Sequence, residues 1–249
     1  MGHACSKGGE VKPEPPLVAA GSGTAGGAAT ASSKPRPAEV IRDDPEEAWK
    51  WLMEGNRQYI EGQNTRGPRR TTTEVRDRLT RGQNPIATVL TCSDSRISPS
   101  LAFACGPGDL FVVRNAGNVL TDGAIASIEY GCAHAGSPIL LILGHQSCGA
   151  VTAAVGHIVD KETGLPEHSC IPTILDKMRA TIQPTIDSAP EDVDRTELID
   201  MAVRQHARAT LANVLKECAV VRKLVEEGHV RVYCGYYALG TGLVTVLDP

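Results

Sequence analysis

No apolar stretch in this 249-residue chain is long enough to cross a bilayer; the longest, residues 138–144 (PILLILG), has the length of a β-strand. There is no basic excess either. Lys and Arg number 25 against 29 Asp and Glu, a net charge of −4. Phosphate binding needs a concentrated basic surface, so no nucleic acid partner is expected. The N-terminus lacks the apolar stretch of a signal peptide, and no repeat of solenoid period occurs. Nor is there a pair of CxxC spacings of the kind that closes a structural zinc site.

What is present is a 41% hydrophobic chain, enough for a sizeable globular core. Its eight cysteines read as reduced: some of them ligands, the others small packing residues. Together these features point to a cytoplasmic protein. Residues 1–42 form a tail, rich in Gly, Ala, Ser and Pro over 8–37 and without apolar period, and are read as disordered. Its start, MGHACS, fits the loose myristoylation pattern, with Cys5 a palmitoylation candidate. The reading adopted is an unmodified tail, with a lipid tether through Gly2 and Cys5 and a cleaved organelle-targeting peptide as the alternatives.

The folded domain spans 43–249. Asp44 caps a helix with Pro45 at its first position, and Ala48, Trp51, Leu52 and Tyr59 share one face of it. A short helix follows Thr72. Residues 86–92 (IATVLTC), 110–114 (LFVVR) and 138–145 (PILLILGH) are β-branched or aliphatic runs of strand length, and 123–135 between the last two reads as a helix. From 172 to about 227 the chain reads as helical, and two strands joined by a Gly-Thr-Gly turn finish it. Near-continuous apolar strands separated by helices predict an α/β fold: a mainly parallel central sheet flanked by helices.

Two segments carry the chemistry. Cys92-Ser93-Asp94-Ser95-Arg96 directly follows one strand, and Gly144-His145-Gln146-Ser147-Cys148-Gly149 follows another. Strand carboxyl ends are where sites form in open α/β sheets. If the two strands are neighbours, two thiolates and an imidazole meet, a normal zinc set with a fourth position left open for water. Zinc there lowers the pKa of water to about 7. Asp94 either accepts a hydrogen bond from that water or binds the metal itself. Arg96 is its natural partner, since a guanidinium grips a carboxylate through two hydrogen bonds.

With these motifs in hand, the chain resembles the β-class carbonic anhydrases over roughly residues 44–248. "CSDSR" and "GHQSCG" match that family's site motifs, "PGDLFVVRNAGN" (107–118) the segment linking them, and "IEYGCAHA" the helix before the second. The resemblance implies reversible hydration of carbon dioxide to bicarbonate by attack of zinc-bound hydroxide. It implies one zinc per chain on Cys92, His145 and Cys148, and a catalytic dyad of Asp94 and Arg96. Gln83 stands where the plant-type branch has a substrate-orienting glutamine that reaches in from a neighbouring subunit. Phe111 and Tyr130 match that branch's apolar pocket wall, and Gly149 lets the backbone approach substrate. Val89 stands where the bicarbonate-regulated branch has tryptophan, which favours the plant-type branch. The resemblance further implies a homodimer or higher homo-oligomer, with N-terminal helices (about 44–82) packing on the partner subunit. Ile97 and Ser100 depart from the commoner residues without touching the chemistry. No proton shuttle is identified; His134, His157 and His206 qualify by residue type alone. The alternatives are a hydrolase of the same fold acting on carbon disulfide or carbonyl sulfide, and a catalytically inactive zinc-binding protein. Retention of both Asp94 and Arg96 argues against the latter.

Overall fold

A computed structural model of the chain describes residues 41, 43–63, 72–161 and 164–248. Apart from Ile41, the tail, with its lipid-tether positions Gly2 and Cys5, lies outside the described residues. The first helix, α1 (Pro45–Ile60), starts as its sequence dictates: the Asp44 carboxylate accepts from the Glu46 and Glu47 amides at 2.9 and 3.3 Å. A short helix α2 (Thr73–Leu79) buries none of its residues. Then follow β1 (Ala87–Cys92), α3 (Pro99–Ala102), β2 (Leu110–Asn115), α4 (Asp122–Glu129), β3 (Ile139–His145), α5 (Gly149–Val159), α6 (Ile171–Ser188), α7 (Arg195–Glu217), α8 (Ala219–Glu226), β4 (Arg231–Tyr237) and β5 (Val244–Leu247).

The strands form one sheet in the order β2-β1-β3-β4-β5, with the first four parallel and β5 antiparallel to β4. Both faces are covered, and β3 shows how. Its side chains alternate, Leu140 and Ile142 joining the core with α4–α8, Ile139, Leu141 and Leu143 joining the core with α1. All seven of its residues are buried, which is why it reads as an unbroken apolar run.

The α1 core depends on a close approach. A Cβ at Gly55 would overlap the Phe103 carbonyl, so the helix sits backbone against backbone there. Trp51 and Leu52 are buried beneath it, and Trp49 stacks on Tyr233 with ring centroids 3.8 Å apart. Buried Asn56 donates to the Ala102 and Gly242 carbonyls and accepts from the Val244 amide. The apolar face of α1 is thus covered within its own chain; α2 is the N-terminal helix left on the surface.

One element differs from expectation. The helix expected over 123–135 is α-helical only to Glu129, then widens into a π turn over Tyr130–His134, with the Ala135 amide donating to the Tyr130 carbonyl. Here Gly131 lies so tightly on the sheet that a Cβ would overlap Thr88 Oγ1. Helix α5 had no counterpart in the expectation at all.

Candidate metal centre

The sheet order makes β1 and β3 neighbours, with Thr91 opposite Leu143. Chain connections leave in opposite directions from this pair, which opens a crevice at its carboxyl ends. Cys92 ends β1 and His145 ends β3. Cys148 follows across a tight turn in which Ser147 adopts φ 52°, an unusual conformation for a side-chain-bearing residue. The ligand atoms of Cys92, His145 and Cys148 lie within 4.8 Å of one another, and all three residues are buried.

The donor set fits a tetrahedral cation. The sulfurs of Cys92 and Cys148 are 3.9 Å apart. That is far beyond a disulfide and close to the roughly 3.8 Å that two thiolates on one tetrahedral zinc require. His145 Nδ1 lies 2.9 Å from the Gln146 carbonyl, which can only accept, so Nδ1 carries the proton and Nε2 its lone pair. Nε2 is buried with no hydrogen-bond partner. A buried, unpartnered acceptor beside two thiols is what a metal would satisfy. The Cys148 thiol donates to Cys92 and thereby holds Cys92 well below, and itself well above, the ordinary thiol range. A cation bound there would replace that shared proton.

Asp94 borders the cluster, its Oδ2 3.9 Å from His145 Nε2. Arg96 grips it in a fork, Nε to Oδ1 at 2.9 Å and a terminal nitrogen to Oδ2 at 2.7 Å, while its own amide also donates to Oδ1. The same guanidinium reaches the Ser147 carbonyl at 3.0 Å, tying the two motifs together. The Arg96 fork holds the Asp94 carboxyl well below the usual carboxylate range. A residue given no role in the sequence proves to matter here. Arg114, on β2, donates to the carbonyls of Cys92, Asp94 and Ile97 at 2.8–3.1 Å and so sets the path of the whole first motif.

Gly149 begins α5 beside Cys148, and a Cβ there would meet nothing within 4 Å, so the space over it is open. The remaining pocket candidates are elsewhere in the chain. Phe111 pairs with Thr88, four residues before Cys92, roughly 13 Å back along the strand. Its ring packs on Tyr130 at 5.8 Å, and Tyr130 is half exposed. Gln83 is exposed on the segment entering β1, at the end opposite Cys92. One chain therefore gathers Cys92, His145, Cys148, Asp94, Arg96 and Gly149, and leaves Gln83, Phe111 and Tyr130 apart from them.

Of the histidines, His206 is no proton shuttle, because it is fully buried and locked between Thr181 and Gly117. His134 is exposed and stacks on Tyr130. Burial pulls the His206 imidazole from 6.5 down to about 4, against a weaker opposite pull from Cys92 and the Gly117 carbonyl. Between those values the unfolded chain takes up a proton that the folded chain refuses. The His206 contribution is whole above pH 6.5 and is lost as pH falls to about 4, amounting to about 3 kcal/mol. Denaturant titration at neutral and at mildly acid pH checks this, and in His206→Gln the acid loss shrinks by that amount. Among the cysteines outside the cluster, Cys105, Cys132, Cys218 and Cys234 are buried and Cys170 is exposed. Burial pushes the Cys132 and Cys234 thiols up to about 11, as suits inert packing residues.

A family model described as carbonic anhydrase matches residues 87–244. Carbonic anhydrase 2 of Mycobacterium tuberculosis is 30% identical over 207 residues, covering 82% of this chain and 94% of that protein. Among solved structures, the β-carbonic anhydrase CafA of Aspergillus fumigatus superposes with a TM-score of 0.62 at 26% identity, over 70% of this chain and 81% of that one. The β-carbonic anhydrase CcaA superposes with a TM-score of 0.63 at 25% identity, over 80% and 87%. The family match begins at the first residue of β1 and runs through both motifs to the first residue of β5. Sequence, sheet order and the Cys-His-Cys crevice agree: the chain belongs to the β-class carbonic anhydrases.

Proposed function

We propose that this enzyme holds one zinc ion through Cys92, His145 and Cys148 and uses it to interconvert carbon dioxide and bicarbonate. The observation that carries the reading is the unpartnered, buried Nε2 of His145 beside two sulfurs 3.9 Å apart. Zinc in such a site supplies a nucleophile at neutral pH by lowering the pKa of a water to about 7.

The chain's own groups do the rest. Asp94, ionised and with its oxygens fixed by Arg96, accepts a hydrogen bond at the open side of the crevice but cannot donate one. It thereby orients an O–H there. Arg96, anchored to Ser147, couples that orientation to the turn carrying Cys148. Gly149 keeps the approach to the crevice clear.

Gln83, Phe111 and Tyr130 are assigned to the substrate pocket of a neighbouring copy. Their separation from the cluster in one chain, and the surface position of α2, support a pocket completed by two copies. Valine in place of tryptophan at position 89 supports the plant-type branch. Stopped-flow carbon dioxide hydration, with zinc quantified on the same sample, tests the function. Rapid turnover at one zinc per chain is expected; full zinc loading without turnover at any pH overturns it.

A further inference from the structure

Behind the Cys92 sulfur lies a set of contacts that the reaction as described does not use. The Gly117 amide donates to Cys92 Sγ at 3.2 Å. Gly117 itself is held in the left-handed region at φ 69°, ψ 19°, by two helices. A Cβ on it would overlap the Met178 methyl of α6, so that methyl packs directly on its Cα. Its carbonyl lies 2.8 Å from Nε2 of His206, on α7. Since a carbonyl only accepts, Nε2 carries the ring proton. Nδ1 of the neutral ring is then an acceptor, and the Thr181 hydroxyl of α6 is 2.6 Å from it. The Gly117 carbonyl therefore fixes which nitrogen carries the proton, and the Thr181 hydroxyl, itself 2.7 Å from the Met178 carbonyl, holds the rotation of the ring from α6.

The amide that meets Cys92 and the carbonyl that meets His206 belong to different peptide groups, joined at the Gly117 Cα. Glycine is the residue least able to hold such a joint unaided. Without a donor on its carbonyl, the 117–118 peptide is free to turn and takes the amide direction with it. The ring is 2% exposed and serves no solvent-facing purpose. Burying a histidine this deeply is costly unless its hydrogen bonds are needed.

We propose that His206 is a positioning residue for the metal centre: by holding the Gly117 carbonyl it keeps the Gly117 amide aimed at the Cys92 sulfur, and so sets how tightly metal is held and how strongly Cys92 donates to it. This rests on the zinc reading of the crevice. An N–H on a ligating sulfur lowers the energy of its lone pairs, so the contact acts on the metal's electronics as well as on ligand placement.

The test uses the full chain loaded with cobalt(II), whose thiolate-to-metal charge-transfer band reports the sulfur directly, alongside chelator competition for zinc. His206→Leu keeps the volume and removes the donor. Zinc affinity is expected to fall roughly 10–100-fold and the charge-transfer band to move to lower energy. His206→Gln carries an N–H at a similar reach and is expected to restore both. An unshifted band and unchanged affinity in His206→Leu overturn the proposal. So does a Gln variant as impaired as the Leu variant at equal thermal stability, because packing alone then explains the loss. If His206→Leu does not fold, Thr181→Val decides: it removes the hydroxyl that holds the ring in place, and a smaller shift in the same direction is expected, none overturning the proposal. A wild-type protein that takes up cobalt without a charge-transfer band removes the zinc reading itself, an outcome distinct from a wild-type band that His206 substitutions leave in place.

Discussion

Cys148→Ser leaves a folded protein that carries no stoichiometric zinc and hydrates no carbon dioxide. Cys148 stands immediately before α5, where serine is among the best helix-capping residues, so local structure survives the change. The metal does not. Serine offers a neutral hydroxyl in place of a thiolate, and the set falls from three strong ligands to two. It also loses the negative charge that the second sulfur brings to a buried cation. Loss of a residue that merely supports a ligand typically costs roughly 10–100-fold in affinity or activity, and loss of a ligand should exceed that. Metal content by mass spectrometry and stopped-flow rates on the same preparation give the answer. A Cys148→Ser protein with one zinc per chain and undiminished turnover would falsify the ligand assignment.

Asp94→Asn separates chemistry from metal binding. The zinc should stay, because Asp94 is no member of the Cys92–His145–Cys148 set, and kcat should drop roughly 10²–10⁴-fold, the range for a positioned proton-handling group. The carboxylate accepts two bonds from the Arg96 side chain, 2.7 and 2.9 Å long. An amide answers only one of them; its Nδ2 points a donor at a donor and leaves the guanidinium partly unpaired. The oxygen that faced the crevice is then either an N–H or misaligned. Turnover above about a tenth of wild type, at full zinc occupancy, would show that Asp94 is not part of the machinery.

The strands that build the crevice were legible because each motif sits directly behind an aliphatic run that is buried on both sides. Residues 87–92 and 139–145 have no polar face to confuse the period. That β1 and β3 are neighbours follows from parallel topology rather than from any residue, yet it is what brings Cys92 to His145. Arg114 was not legible. Its partners are three backbone carbonyls, and an arginine in a strand carries no sign of which loop it will hold. His206 qualified as a proton carrier by residue type alone, and only the packing of α6 and α7 around it shows that it is buried. The π turn escaped because the apolar pattern of 123–135 is helical throughout; the close contact of Gly131 with Thr88 is a tertiary fact. Helix α5 was assigned no element; Gly149 and Gly156 lower its helix propensity.

Asn56 has a consequence for how the chain is made. Its side chain bonds to Gly242 and Val244, residues 186 and 188 positions further along. During synthesis, α1 therefore leaves the ribosome long before the last strand that anchors it exists. Trp51 and Leu52 find part of their cover in Phe103 and in Ile139, Leu141 and Leu143, and the remainder only once Tyr237 and Val244 have emerged. Closure of the first helix onto the last strand is then a late step in folding, and a nascent chain stopped short of residue 242 is a substrate for chaperones rather than a slightly shorter enzyme.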